Sequence, residues 1–259
     1  MGGQLMQLTM LGVGSSAGTP VVGCRCATCL SNDIRNKRTR CSSLITLDSG
    51  ENILIDTGPD LRNQALREDI TRVDAVLYTH THADHLHGID DLRAFCQIQR
   101  KQIPLYAKSD AVDHIKQKFG YVLRDPSDFW DLPVLRIESI DAPFELFSAP
   151  ITPIPIMHGK CHIFGYRVSN IAYLTDVSEI PESSLTLLQN LDVLLLDCLR
   201  ESYHPTHINI EQSLAYISRI NAKQSYMIHM THELEYEFLA KKLPNGVFVG
   251  YDGLKLQVN

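Results

Sequence analysis

The sequence predicts an α/β architecture in which two mixed β-sheets lie sandwiched between helices, as one domain over residues 1–259. Three observations lead there. Short β-branched or wholly apolar runs recur and stop at Gly, Asp or His. Strands come first in hairpin-like pairs and then alternate with helical segments, and this happens in both halves. No repeat, low-complexity linker or shift of composition divides the chain.

In order, "QLTMLGVG", "SLITLDS" and "NILIDTG" read as strands, and 59–68 as a helix. "AVLYTH" leads into a helix at 85–98, and "IPLYAK" into another at 109–119. "ITPIPIMH", "GYRVS" and "IAYLTD" follow as strands, then a helix at 183–190. "VLLLDC" precedes a helix at 210–220, for which Asn209 or Thr206 offers a cap. "QSYMIHM", a short helix at 235–243 and the strand-like run "VFVGYDGLKLQV" close the chain. The basic run "RNKRTR" at 35–40 reads as a solvated loop, or else as an electropositive rim for an anionic substrate.

Composition narrows the function. Hydrophobic residues at 44% and charged ones at 21% are ordinary for a chain with a sizeable core. A net charge of −6 argues against an extended nucleic-acid surface. No basic segment followed by an apolar one opens the chain, and Met6 stands where an acylation motif at Gly2 needs Ser or Thr. No apolar stretch reaches the roughly 18–20 residues of a membrane span. Seven cysteines suit reduced thiols and metal ligands better than a disulfide framework. A cytoplasmic protein without membrane contact is the expectation.

"THTHADHLHG" then stands out, placed directly after an apolar strand. His80, His82, Asp84 and His85 spell H-x-H-x-D-H, which can aim two imidazoles at one cation and a carboxylate with a third imidazole at another. His87 lies outside the pattern and reads as an ordinary polar residue. Three further apolar runs end in ligand-type residues, His158, Asp176 and His229, and Asp176 is the natural bridge between two divalent ions. Near the N-terminus, at about 23–30, Cys24, Cys26 and Cys29 form a C-x-C-x-x-C cluster whose soft thiolates suit tetrahedral zinc. His232, three residues beyond His229, is the candidate fourth ligand. Cys41, Cys96, Cys161 and Cys198 read as structural.

This order of ligands resembles the metallo-β-lactamase superfamily, which implies an αββα sandwich with the two-metal site where the sheets meet. "NILIDTG" is similar to the superfamily's motif ahead of the histidines and makes Asp56 a partner that orients a ligand. The bridging aspartate, and "HIFGYRV" followed by "YLTD", resemble the phosphodiesterase and tRNase Z branch. His158 stands one residue further from "FGYR" than that pattern implies, so His162 is a rival ligand. The cysteine element, the complete two-metal set and "VGYDGLKLQV" resemble the PhnP-type phosphodiesterases over essentially the whole chain.

The resemblance implies a hydrolase using two Mn or Zn ions and one structural Zn, with a small cyclic ribose phosphate or nucleotide as substrate and a homodimer as the candidate assembly. His207, ahead of a helix, matches the position of the family's catalytic acid, and Asp84 would steer the attacking water as well as bind metal. His204 reads as a surface-loop residue. Lys160 and Arg167 are weaker candidates for phosphate. The alternatives are a tRNase Z-like ribonuclease and a non-hydrolytic protein like PQQ synthesis protein B, which shares the cysteine element.

Overall fold

The computed structural model describes residues 5–123 and 135–258, so Gly2 lies outside it. Six strands of the first half, β1 (Met6–Gly12), β2 (Ser42–Leu47), β3 (Asn52–Ile55), β4 (Ala75–Leu77), β5 (Pro104–Ala107) and β6 (Arg136–Ser139), lie side by side in that order. The second half adds β7 (Phe144–Leu146), β8 (Ala149–His158), β9 (Cys161–Val168), β10 (Ile171–Leu174), β11 (Val193–Asp197), β12 (Gln224–Ile228) and β13 (Val247–Val249), again neighbours in order. The last strand, β14 (Lys255–Val258), returns to pair with β1, so each sheet has seven strands. In both sheets antiparallel pairing gives way to parallel pairing, after β3 and after β10.

The parallel region explains the long apolar runs. Strands covered on both faces need uninterrupted apolar residues, and β4, β10 and β11 are buried at every position. Alternation sorts the first sheet: Leu44, Leu54, Val76 and Leu105 join one core with Leu61, Phe95 and Ile115 from helices. Their neighbours Ile45, Ile53, Leu77 and Tyr106 join a second core with Ile154, Ile156 and Tyr166 of the other sheet. The helices of the first side are α2 (Leu61–Arg67), α4 (Leu92–Gln99) and α5 (Ser109–Phe119), numbered after the short α1 (Ala27–Leu30) and α3 (Ala83–Leu86). On the other side, α6 (Glu182–Leu185), α7 (Ile210–Ile220) and α8 (Tyr236–Ala240) bring Leu185, Ile217, Ile220 and Leu239 to the core. Among the described residues no helix is long and apolar enough to cross a membrane.

Several expectations need correction. The helix expected over 85–98 is broken into α3, a 3₁₀ turn at Ile89–Asp91, and α4. The break falls at Gly88, where a Cβ would lie 2.1 Å from the carbonyl oxygen of Gly58; a Cβ on Gly58 would lie 2.3 Å from that of Asp84. These glycines let the loop after β3 press against the histidine turn, at the expense of a continuous helix. The segment 183–190 tightens after Leu185 into a 3₁₀ turn, Thr186–Leu188. "VFVGYDGLKLQV" is two strands in different sheets, β13 and β14, joined by a turn in which Gly253 N–H donates to Met10 O at 2.8 Å. Strands β6 and β7 went unmarked because they are short and largely exposed, with little apolar signal. By contrast α5 and α7 match their expected bounds. Asn209, not Thr206, caps α7 in a reciprocal capping box with Gln212.

Candidate metal centres

Strand ends gather at one edge of the sandwich. β4 leads to Thr79 and His80, β8 ends at His158, β10 leads to Asp176, β11 ends at Asp197, and His229 follows β12. Carboxyl ends of strands are where open α/β sheets place their sites. Asp56, Asp176 and His229 sit there in the left-handed backbone region, with φ of 61°, 57° and 59°. That conformation is uncommon for residues with a Cβ and clusters at functional sites.

Two donor groups share Asp176: His80, His82 and His158 with it, and Asp84, His85 and His229 with it, the ligand atoms of each lying within 4.8 Å of one another. Asp176 Oδ1 lies 3.9 Å from both His80 Nε2 and His158 Nε2, while Oδ2 lies 3.0 Å from His85 Nε2 and 3.4 Å from His229 Nε2. Asp84 Oδ2 is 3.2 Å from His85 Nε2 and 3.6 Å from His229 Nε2. His82 is exposed and meets His80 edge-on, ring centres 4.6 Å apart. His162, the rival of His158, is exposed on β9 and joins neither group. His87 is exposed against Phe119.

The opposite nitrogens of these rings are spoken for. His85 Nδ1–H donates to Asp56 Oδ2 at 2.8 Å, and His158 Nδ1–H donates to Thr206 O at 2.9 Å. Thr79 Oγ1 already donates its one proton to Asp56 Oδ2, so at 3.0 Å it must accept from His80 Nδ1–H. Each ring therefore turns the lone pair of Nε2 inward, the usual way a partner behind a ligand fixes tautomer and aim. His80 Nε2, His85 Nε2 and His229 Nε2 are buried with no hydrogen-bond partner among the described residues. Leaving such atoms unpaired costs about 1–3 kcal/mol each. Imidazole and carboxylate donors around these orphaned atoms fit two divalent cations astride Asp176.

Charge follows the same geometry. Burial, helped by the neighbouring His85, holds His80 well below the usual imidazole range, so it is neutral. Burial works against the charge on Asp176, yet His229, His85 and His80 hold it well below the usual carboxylate range. Burial likewise opposes a charged His229, but Asp176 and Asp197 raise it to about 10. A proton thus sits where a cation would, and metal binding would release it.

Asp197 is the residue sequence reasoning missed, although "VLLLDC" ends an apolar strand just as "AYLTD" does. Its Oδ2 accepts from Val177 N–H at 2.9 Å and from His207 Nδ1–H at 3.1 Å, and its Oδ1 lies 3.4 Å from His229 Nδ1. His207 Nε2 stands 3.9 Å from Asp176 Oδ1. His204 is a half-buried loop residue that faces His207, ring centres 5.2 Å apart. Lys160 is exposed in the turn between β8 and β9. Arg167 is not a phosphate ligand here: its guanidinium donates to the carbonyls of Ser169, Leu187 and Gln189. Cys41, Cys96 and Cys198 are buried, but Cys161, expected to be structural, is exposed on the wall of the pocket beside His158.

The cysteine cluster is separate. Cys24, Cys26 and Cys29 Sγ lie 3.4, 3.3 and 3.5 Å from His232 Nδ1. Zinc bonds of about 2.3 Å to sulfur and 2.0 Å to nitrogen, at a tetrahedral angle, put those atoms about 3.5 Å apart. The cage fits zinc. Cys26 Sγ accepts from Cys29 N–H and neighbours His232, which lowers its thiol to about 6. The basic run beside it is neither a solvated loop nor a rim. Arg38 is buried and donates to the carbonyls of Thr231 and Leu234; Arg35 pairs with Asp33 and Glu237 and lies over the Tyr236 ring; Arg40 pairs with Asp60. These bonds clamp the cysteine element to the segment that carries His232.

Against known proteins, a model of the beta-lactamase superfamily domain matches residues 51–230. A crystal structure described as a new diphosphatase from the PhnP family superposes with a TM-score of 0.92 at 40% identity, covering 98% of this chain and 97% of that one. Zn²⁺-bound PqqB from Methylobacterium extorquens gives a TM-score of 0.81 at 19% identity over 97% of this chain and all of its own, a likeness of fold. An octanoyltransferase of Porphyromonas gingivalis is 39% identical over 255 residues, 96% of this chain but 51% of that protein. The chain thus spans about half the length of that relative.

Proposed function

Since the chain belongs to the β-lactamase superfamily and, within it, to the PhnP family, we propose that it is a hydrolase that cleaves a phosphoryl bond of a small phosphodiester or nucleotide with two divalent cations, Mn or Zn. One observation carries this reading: the two oxygens of Asp176 face separate imidazole sets, in which the buried Nε2 atoms of His80, His85 and His229 lack hydrogen-bond partners among the described residues. Cations held there supply an acidified water and a clamp on the phosphoryl oxygens.

The chain's own residues supply the rest. Asp84, beside His85 and His229, is placed to orient the attacking water as well as to bind. His207, held by Asp197 through Nδ1–H, presents Nε2 to Asp176, 3.9 Å from Oδ1. Protonated, it gives that proton to the leaving oxygen, while the bond to Asp197 fixes the direction of the ring. The PhnP-family neighbour is named a diphosphatase, so an anhydride between phosphates stands beside a phosphodiester as the bond cleaved. A pocket of about 200 Å³ lies at the site, beside His80, His82 and His158. The half of the octanoyltransferase that this chain does not span leaves room for the acyl transfer in its name.

The test is to strip the protein of metal, reload it with Mn or Zn, and assay bis(p-nitrophenyl) phosphate, cyclic nucleotides and a dinucleoside diphosphate. Turnover restored by either metal supports the hydrolase. No turnover on any of them, with both sites loaded, favours a non-hydrolytic protein like PqqB.

A further inference from the structure

Beyond His82 and His158, the site pocket continues between the first turns of α5 and the hairpin of β8 and β9. His114 from α5 and His162 from β9 line this outer part, with Lys108 at the cap of α5. Of the chain's 11 histidines, most are bonded to a carboxylate, carbonyl, hydroxyl or thiol, or packed within the metal groups. His87, His114 and His162 are not: no hydrogen bond or ion pair involves their side chains among the described residues, and of the three only His114 and His162 line the pocket. Lys108 Nζ meets Asp110 Oδ2 at 2.6 Å, which spends one of the ammonium's three donors and leaves two for a ligand. The amino end of an 11-residue helix opens on the same space and adds a partial positive charge.

We propose that this outer pocket is a second anion subsite, which binds the phosphoryl group next to the one attacked. His114 and His162 donate ring N–H groups to its oxygens, and Lys108 adds an ammonium N–H. The inference rests on the hydrolase reading and narrows its substrate: a small diphosphate diester is selected over a cyclic or simple monophosphodiester. Water adds its oxygen to the phosphorus beside Asp84, the bridging P–O bond of that phosphorus breaks, and the bridging oxygen departs with the second phosphate, taking the proton that His207 gives. The reaction yields two monophosphates with no other reactant.

The experiment compares wild type with His114→Ala, His162→Ala and the double variant, all metal-loaded. None of these residues belongs to the catalytic constellation described above. On a dinucleoside diphosphate, KM should rise about tenfold for each imidazole removed, the scale of a hydrogen bond to a charged group. On bis(p-nitrophenyl) phosphate, kcat and KM should stay within about twofold. Calorimetric binding of dimethyl methylenediphosphonate, which keeps both phosphoryl groups but has no bridging oxygen to lose, should weaken by the same factor in the same variants. Equal losses on both substrates, or unchanged diphosphonate binding in the double variant, would overturn the subsite. Diphosphonate binding that depends on the two histidines, in a protein that hydrolyses none of the substrates, would uphold the subsite and refute the hydrolase.

Discussion

His229 and His232 are three residues apart and belong to sites built in opposite ways. His229 ends a buried strand in a left-handed turn and points into a cluster of imidazoles and carboxylates drawn from both sheets. His232 sits in a surface loop and faces three thiols from one short stretch near the N-terminus. The first site is assembled by the fold: its ligands span residues 80 to 229, some at strand ends and Asp84 and His85 in the short α3. The second assembles its own neighbourhood, with arginines pinning loop to loop. A cluster that depends on the fold can carry chemistry, because the rigid sheets hold it open to a ligand. A cluster on which the fold depends fills its four positions with side chains of the protein and contributes stability.

The difference can be broken experimentally. Asp176→Ala should have the largest effect, since it removes the carboxylate that both groups share. Hydrolysis should fall by about 10⁴-fold or more, the loss of a two-metal mechanism, with the cysteine-bound zinc retained; steady-state rates and zinc content check both statements. Retained activity would end the bridging assignment.

His207→Ala comes next. Without its proton the rate should drop by roughly 10²–10⁴ for an alkoxide leaving group and far less for nitrophenolate, which departs unprotonated. Metal content should not change. His204→Ala, on the same loop but without a bond to Asp197, should do little. If the two leaving groups slow equally, His207 is a ligand or a phosphate contact and not the acid.

Cys26→Ser sharpens the other side. Losing one thiolate should lower the melting temperature by about 5–10 °C, a few kcal/mol for a chain of this size, while the folded fraction keeps its turnover number. Calorimetry combined with active-site titration separates the two, and a fall in turnover per folded molecule would merge sites that are here held apart.

The smallest effect concerns another buried carboxylate, Asp252, which accepts from Val13 N–H, Thr39 N–H and Thr39 Oγ1–H. Asp176 and Asp252 are both buried, but imidazoles surround only the first. Burial raises Asp252 to about 6, although its hydrogen bonds and Arg67 oppose the shift. The folded chain therefore binds a proton at this site that the unfolded chain, titrating near 3.9, has released. Stability from this group is greatest below about pH 4 and is lost as pH rises to about 6, up to ~3 kcal/mol. Asp252→Asn should flatten that slope in urea melts taken across the window, and an unchanged slope would remove Asp252 from the account.

The ligand groups were legible because His80, His82, Asp84 and His85 keep a ligand spacing just after a strand, while His158, Asp176 and His229 end apolar runs, which a sequence displays best. Helices α5 and α7 were legible for the same reason, through their periodicity and, for α7, its Asn209 cap. What stayed hidden depends on contacts distant in sequence. The break at Gly88 comes from Gly58, thirty positions away, and the burial of Arg38 comes from carbonyls near 231–234. A charged run carries no mark of whether its partners are water or backbone. Asp197 was overlooked because it touches histidines and not the shared centre, so nothing in the ligand count demanded it. The turn that sends "VFVGYDGLKLQV" across two sheets is likewise tied to β1, through Met10, as well as to its own Gly253.

The central claim is that Asp176 joins two cation sites while the cysteine cage holds a third ion apart. Anomalous diffraction from crystals of the metal-loaded protein tests it most directly. The account predicts two peaks astride the Asp176 carboxylate, roughly 3.5–4 Å apart, and a separate zinc peak among Cys24, Cys26, Cys29 and His232. A single peak beside Asp176, or two peaks that do not share its carboxylate, would contradict it.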